Sequence, residues 1–482
     1  MNETTERGEK REQDGDNSID STFWPPNKAL RQDCSFKIKI DRSPNAVAEA
    51  SRDFGRLISG RAEGVIAVTT PDELVATIRH ANSTGLSLTP CGTRASCGGQ
   101  SLPNGGLSLD MRNMNALGPV DLQNATIECE SGATLRAISE ATLRHNMLPN
   151  ILSFNLDLTI GGILSAGGFG ANCHRFGPMV ANVKSLDVVT GEGRRVHCSP
   201  EREAALFDAV LGGLGHCGVI ARATLALRKV RSKVRLWSLL YHRHEDWLDD
   251  QESLIRSSRC DYMQGFFWAG PQLLRSTPTG FYPKAQWLYG LSIGSEYDGE
   301  APDDDWMLAD LKPSGVLAVD DADTAQFIDL YRDRFVQMRR TDAWQRRHPW
   351  IDCLLAPEVV REILPQVLEK LPRAAGDGHR LAWFPTKHLP GLFSVPAGDW
   401  AVAFAVLPTS IEESVYEETL AALDQVRRML WDRGGKAYLV GWFGPMDDAG
   451  WRRHYGERYD AWIAAKQKYD PRRVLHSMAF SN

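Results

Sequence analysis

Leu88–Gln100, LTPCGTRASCGGQ, runs a short apolar strand into a loop that holds Gly92, Gly98 and Gly99 with small polar residues between them. Glycines leave no Cβ to keep a ligand at a distance, so such a loop lets backbone N–H groups converge on an anion, phosphate oxygens above all. A second stretch, Leu158–Pro178 (LTIGGILSAGGFGANCHRFGP), repeats the pattern. Two backbone nests in one half of a chain point to a ligand with a long phosphate-bearing body, such as a dinucleotide. A third set, Gly213, Gly215 and Gly218, spells GxGxxG literally. Its setting is inverted: a helical pattern precedes it and the strand-like VIARATLAL follows, whereas a Rossmann turn needs strand then helix. A nicotinamide-binding Rossmann domain is therefore rejected.

The elements that must hold the two nests are regular. VIAVT from Val65 reads as a strand, and Thr70, Pro71 and Glu73 form a helix start with proline in its first turn. That helix buries Leu74, Val75, Ile78 and Ala81 and stops before Gly85; the strand LSLDM follows the first nest. The strand TIECE and a helix from about Thr134 to His145 lead to the second nest. VKSLDVVT and RRVHCS flank Gly191-Glu192-Gly193 as a hairpin, and a helix over 201–211 and the strand VIARATLALRKV close this half near Val230. From Arg231 to Gly435 the texture changes to aromatic-rich strands (FYPKAQWLYGLSIG, RLAWFP, WAVAFAVLP) alternating with amphipathic helices near 325–340, 357–371 and 411–432. This pattern implies an antiparallel sheet covered by helices. The acidic run Glu296–Asp323 reads as an exposed excursion, and the strand KAYLVG with the helices through Tyr469 has no evident home.

The 482 residues suffice for two or three domains. A net charge of −6 gives no basic face for nucleic acid, and no run is long and apolar enough to span a bilayer. Residues 1–40 read as a disordered or extended tail without a signal-peptide core. The nine cysteines are scattered with no metal-ligand spacing, so no metal site is expected and a reduced, cytoplasmic location is.

The ordered set DRSPNAVAEASRDFG, GVIAVTTPDELVATIRHAN, the first nest, LTIGGILSAGG, RFGP, VVTGEG, LGGLGHCGVIARATL, DQESLI, HPW, KAYL and KYDPRRVL resembles the FAD-linked oxidases of the vanillyl-alcohol-oxidase (PCMH) type, and among them the cytokinin dehydrogenases. The resemblance implies an α+β fold: a PCMH-type FAD-binding domain in two parts, 41–230 and 436–482, around a substrate domain at 231–435. Carried over residue by residue, it implies that Pro90, Gly92, Thr93, Arg94, Ala95, Ser96 and Gln100 wrap FAD. It places Thr159, Gly162, Ser165 and Phe169 against the cofactor, Ile220 at its adenine end and Tyr438 at its flavin ring. On the substrate side it implies a wall at Pro349 and Trp350, a proton-handling His348 or Asp352, and a pocket lysine at Lys387.

The departures from the family are as informative. Ala95 stands where the family carries the histidine bonded to the flavin, and Asn155 where some relatives carry a second, cysteinyl bond, so FAD is expected to be held non-covalently. Counting back from Gly161, Phe154 occupies the slot of the aspartate that takes the substrate's amine proton, and an aromatic ring cannot accept a proton. Asp157, beside the same turn, is a candidate replacement; a solvated or turn-stabilising aspartate is an equal reading. His476, Ser477, Met478 and Ala479 stand in place of the family's SPGQ. The expectation is hydride removal from a C–H next to N or O of a small molecule, with O2 or another acceptor, and a substrate other than a cytokinin. Alternatives are a redox-neutral isomerase or cyclase, and a non-catalytic protein that retains FAD.

Overall fold

β1 (Gly64–Ala67), β2 (Leu88–Cys91) and β3 (Leu107–Asp110) form a parallel three-stranded sheet in the order β1-β3-β2. This computed structural model describes residues 38–270, 273–277, 280–284, 287–376, 378–409 and 411–480. The tail expected over 1–40 thus lies almost wholly outside the described residues. Helix Pro71–Thr84 links β1 to β2; the Thr70 hydroxyl accepts the Glu73 N–H at 3.2 Å, and Gly85 ends the helix in the left-handed region at φ 74°. Its Leu74, Val75 and Ile78 pack against Leu88, Leu107 and Leu109.

β4 (Leu117–Asp121), β5 (Thr126–Glu130), β6 (Met147–Pro149), β7 (Val183–Thr190), β8 (Arg195–Cys198) and β9 (Gly218–Lys229) build an antiparallel sheet, ordered β4-β5-β9-β7-β8 with β6 also on β9. The hairpin read at Gly191–Gly193 joins β7 to β8. Helix Ala204–Val210 precedes the literal GxGxxG and β9 follows it, the inverted order that excluded a Rossmann turn.

The remaining strands are β10 (Lys233–Tyr241), β11 (Tyr262–Ala269), β12 (Leu273–Thr277), β13 (Gly280–Lys284), β14 (Trp287–Tyr297), β15 (Gly315–Asp323), β16 (Ile351–Leu355), β17 (His379–Pro385), β18 (Trp400–Val406) and β19 (Lys436–Ala437). Among the described residues β12 and β13 pair only with each other; the other eight form one antiparallel sheet, β15-β10-β14-β11-β17-β18-β16-β19. Successive side chains of a strand point to opposite faces, and this sheet uses both. Cys353, Leu355, Leu381, Trp383, Val402 and Phe404 join a core with helices His244–Ser257, Pro357–Lys370 and Tyr416–Asp432. Leu354, Phe384 and Ala401 face the other way, into the core of the β4–β9 half.

Two expectations need correction. The last part of the acidic run 296–323 is not a plain excursion but β15, an edge strand of the large sheet; none of its residues is buried, so no apolar alternation marks it. The large sheet also runs past Gly435, because Lys436 and Ala437 pair with Leu354 and Cys353.

The segment without an evident home returns to the first half. Leu475 bridges Leu88 in parallel, and the His476 N–H donates to the Leu88 carbonyl at 3.0 Å. Lys466 and Asp470, both buried, form an ion pair at 2.5 Å. Lys466 also donates to the carbonyls of His216 (2.8 Å) and Leu475 (2.7 Å), while Asp470 accepts the N–H groups of Val474 and Leu475. Removing one member of such a buried pair costs about 3–5 kcal/mol, because it strands the other charge.

Candidate functional site

The two nests meet face to face. A single cavity with about 970 Å³ of space free of protein atoms, counting what opens to solvent, is lined by Pro90, Gly92, Thr93, Arg94, Ala95, Ser96 and Gln100 from the first. Thr159, Gly162 and Ser165 line it from the second, together with Ile220 and Tyr438. Of the thirteen residues expected around a dinucleotide, only Phe169 is not in the lining; its ring stands behind Tyr438, centroids 4.7 Å apart.

The first nest is pinned from below. Asp53, 4% exposed, accepts the N–H groups of Gly99 (2.9 Å) and Arg56 (3.0 Å), and burial raises its carboxyl pKa to about 6. Gln100 accepts the Gly98 N–H and donates to the Gly441 carbonyl, each at 2.8 Å, and the Cys97 N–H donates to Val440. Arg94 adopts φ 53° and turns its guanidinium away from the cavity, to Ser108 (3.2 Å) and Glu49 (3.5 Å). A left-handed non-glycine residue is strained, and the strain here falls on a residue of the cavity wall. Cys91 and Cys97 are buried with their thiol pKa raised by desolvation, as small packing residues are.

The second nest fits against the end of β5. The Gly161 N–H donates to the Ser131 carbonyl at 2.8 Å, and a Cβ on Gly161 would stand 2.7 Å from the Cβ of Ser131. Ser131 itself lines the cavity, and its buried hydroxyl has no partner among the described residues. The Tyr438 hydroxyl accepts the Gly168 N–H (3.0 Å), and its own N–H donates to the Asp352 carbonyl (3.0 Å), tying the nest to the large sheet.

The residues expected to act on a substrate separate into three groups. Asp352 stays near the cavity, on the inward face of β16 two residues before Leu354, where a Cβ on Gly441 would lie 2.8 Å from its Oδ2. Desolvation raises its pKa to about 7 although Arg380 opposes the rise. Phe154 meets Tyr331 edge-on (5.2 Å) in a second cavity that shares Ser153 with the first.

His348 and Trp350 lie instead beneath the first nest. The His348 ring stacks on Phe54 at 4.1 Å; the His348 backbone N–H donates to the Gly55 carbonyl and the Gly55 N–H to the Ser96 carbonyl. Burial lowers the His348 pKa to about 4, so it is a neutral support for the loop. Trp350 donates its indole N–H to Pro408 and packs on Phe54. Lys387 is 68% exposed beside Asp399, and Asp157 is tied to Arg136 at 2.7 Å; neither lines either of these two cavities.

Several lining residues escaped the sequence reading. Leu214 and Gly215 come from the rejected GxGxxG, whose loop is held by the Leu214 N–H donating to Ser165 (2.9 Å). Leu439 and Val440 follow Tyr438, and Ser131 and Ser153 are lone serines with no motif around them. No group of three or more potential metal ligands occurs among the described residues, and none of their helices is long and apolar enough to cross a membrane.

Comparison with known proteins agrees with this architecture. Residues 62–199 match the family described as FAD binding domain, which identifies the half that carries both nests as an FAD-binding fold. Residues 307–478 match the family described as cytokinin dehydrogenase 1, FAD and cytokinin binding. An uncharacterized oxidoreductase, ORF5 in the fasciation locus of Rhodococcoides fascians, is 31% identical over 437 residues, covering 89% of this chain and 95% of that protein. Cytokinin dehydrogenase 7 of Oryza sativa subsp. japonica is 31% identical over 489 residues (93% and 92%), and cytokinin dehydrogenase 6 of the same plant 30% over 495 (93% and 92%). The chain belongs to the PCMH-type family of FAD-dependent oxidoreductases that includes the cytokinin dehydrogenases. The cavity fits that cofactor: crowded glycines at the wall, an orphaned serine hydroxyl, and a length that draws on both nests.

Proposed function

We propose that this protein holds FAD without a covalent bond and uses it to oxidise a small molecule at a C–H next to nitrogen or oxygen, with O2 or another acceptor taking the electrons onward. The observation that carries the proposal is the cavity that unites both nests, Ile220 and Tyr438, with Ala95 in its wall. A methyl group offers no nucleophile for a bond to the flavin.

When bound, FAD supplies a hydride acceptor; the protein positions the substrate and keeps water out. The Gly92–Ser96 backbone and the second nest hold the cofactor, and Tyr438, fixed at both its hydroxyl and its N–H, holds one wall. Phe154 cannot take a proton, whereas the Asp352 carboxyl, with its pKa raised to about 7, is poised to take one from a substrate N–H or O–H. The partner is a small molecule rather than a nucleic acid or a membrane, in keeping with the net charge of −6.

Acid precipitation of the purified yellow protein should leave all the colour in the supernatant, and anaerobic substrate should bleach the intact protein. Colour kept in the pellet would overturn non-covalent binding, and turnover without bleaching would overturn net oxidation.

A further inference from the structure

Asp352, Ala405 and Arg380 are successive register partners on β16, β18 and β17. Neighbouring strands lie about 4.8 Å apart, so the two charged residues stand roughly 10 Å apart across a single methyl group. The inward face of β18 continues as Ala403, so the floor between them has no side chain beyond Cβ; the next inward residue, Ala401, is closed into the core. Opposite charges thus stand at the two sides of a shallow trough, each acting on the other through space but making no contact ion pair.

Arg380 is poorly matched by its surroundings. Its guanidinium carbon lies 4.7 Å from the Phe154 ring centroid and 5.7 Å from that of Tyr331. Those rings orient the cation without neutralising it. Its hydrogen bond is a long one, from Nε to the Gly378 carbonyl at 3.4 Å, and no carboxylate among the described residues forms an ion pair with it. Arg334 nearby adds to the positive potential. Gln264 on β11 is only 3% exposed and accepts the Tyr331 hydroxyl through Oε1 at 2.5 Å; its Nε2 has no acceptor among the described residues. A buried donor left unmatched is costly, and Arg380 feels the Asp352 carboxylate only across the strand between them, with no contact ion pair. An aspartate in the Phe154 slot, as in the resembling family, would stand against this guanidinium; the phenylalanine leaves it unpaired.

We propose that Arg380 and the Nε2 of Gln264 receive the carboxylate of a flat, carboxylate-bearing substrate. The substrate lies along the alanine floor and presents its N–H or O–H to Asp352. This deepens the FAD-dependent reading above and rests on it.

Calorimetric titration of the yellow holoprotein with trans-cinnamate and with its neutral amide tests the proposal. Cinnamate should bind at least about tenfold more tightly than cinnamamide, a difference that calorimetry resolves. Arg380→Gln should abolish the preference. Phe154→Asp, which supplies an internal counter-ion without removing the arginine, should abolish it too and serves if the first variant does not fold. Both variants should stay yellow. Equal binding of acid and amide, no binding of cinnamate, or a preference that survives either substitution would overturn the assignment. A colourless protein that does not take up FAD would instead end the flavoprotein reading, so the two failures are distinct.

Discussion

Gly161→Ala should show how tightly the second nest is docked on its neighbour. The new Cβ would lie 2.7 Å from the Ser131 Cβ, 3.0 Å from its carbonyl oxygen and 3.3 Å from its Cα. None of these atoms can swing away, because all are backbone or directly attached to it. Restoring an ordinary carbon contact of about 3.5 Å means moving one segment by roughly 0.8 Å, enough to stretch the 2.8 Å bond from the Gly161 N–H to the Ser131 carbonyl. Overpacking of this kind costs about 1–3 kcal/mol and a weakened hydrogen bond about 1 kcal/mol more. The expected loss is therefore about 2–4 kcal/mol. Urea unfolding of the holoprotein, followed by release of flavin fluorescence, should show a lower midpoint with an unchanged slope. Adding Ser131→Gly removes the nearest atom and should restore at least half of the loss, a coupling visible in a double-mutant cycle. A Gly161→Ala protein as stable as its parent, or a second substitution that returns nothing, would refute the docking of the nest on Ser131.

Other expectations follow from the charges and the missing tether. Asp352 must be ionised to accept a proton and burial raises its pKa to about 7, so the rate should climb as pH rises through 7 and level off above it. Asp352→Asn should lower kcat by about 10²–10⁴ and flatten the profile with FAD retained. Asp53 carries a folded-state pKa of about 6, above its ordinary 3.8, so the folded protein holds that proton more tightly. Its contribution to stability is fully present below pH 3.8 and is lost as pH rises through 6, by up to about 3 kcal/mol. Urea midpoints at pH 5 and 7.5 should therefore differ less in Asp53→Asn than in the parent. Ala95→His restores an imidazole in the cavity wall, and acid precipitation should then leave yellow colour in the pellet.

The FAD-binding half was legible because its signals are local. A capped helix between two strands and two runs of closely spaced glycines announce themselves within twenty residues or so, and the structure joins them in one cavity. The place of Gly213–Gly218 was only half legible: flanking elements ruled out a Rossmann turn, but nothing nearby shows Gly215 approaching Pro90. The substrate half hid more. Arg380 sits in RLAWFP as an unremarkable polar residue of an alternating strand, and Phe154, which meets it, belongs to another element far back in the chain. His348 carried a chemically suggestive side chain, yet its fate was set by stacking on Phe54, which no spacing encodes. Lys387 and Asp157 stand outside the two cavities for a common reason: sequence gives the type of a charge but not the direction in which it leaves the backbone.

The clamp of Lys466 and Asp470 has a consequence for the order of assembly. The sheet beside the first nest is completed by Leu475, so ribosomal synthesis produces the cradle walls long before the piece that locks them. Residues 41–230 must wait, partly open, while the whole eight-stranded sheet is made. Contacts so distant in sequence form slowly and leave apolar surface uncovered meanwhile. Cofactor capture should accordingly be a late event, and nascent chains arrested before residue 466 should remain colourless even when the flavin is abundant.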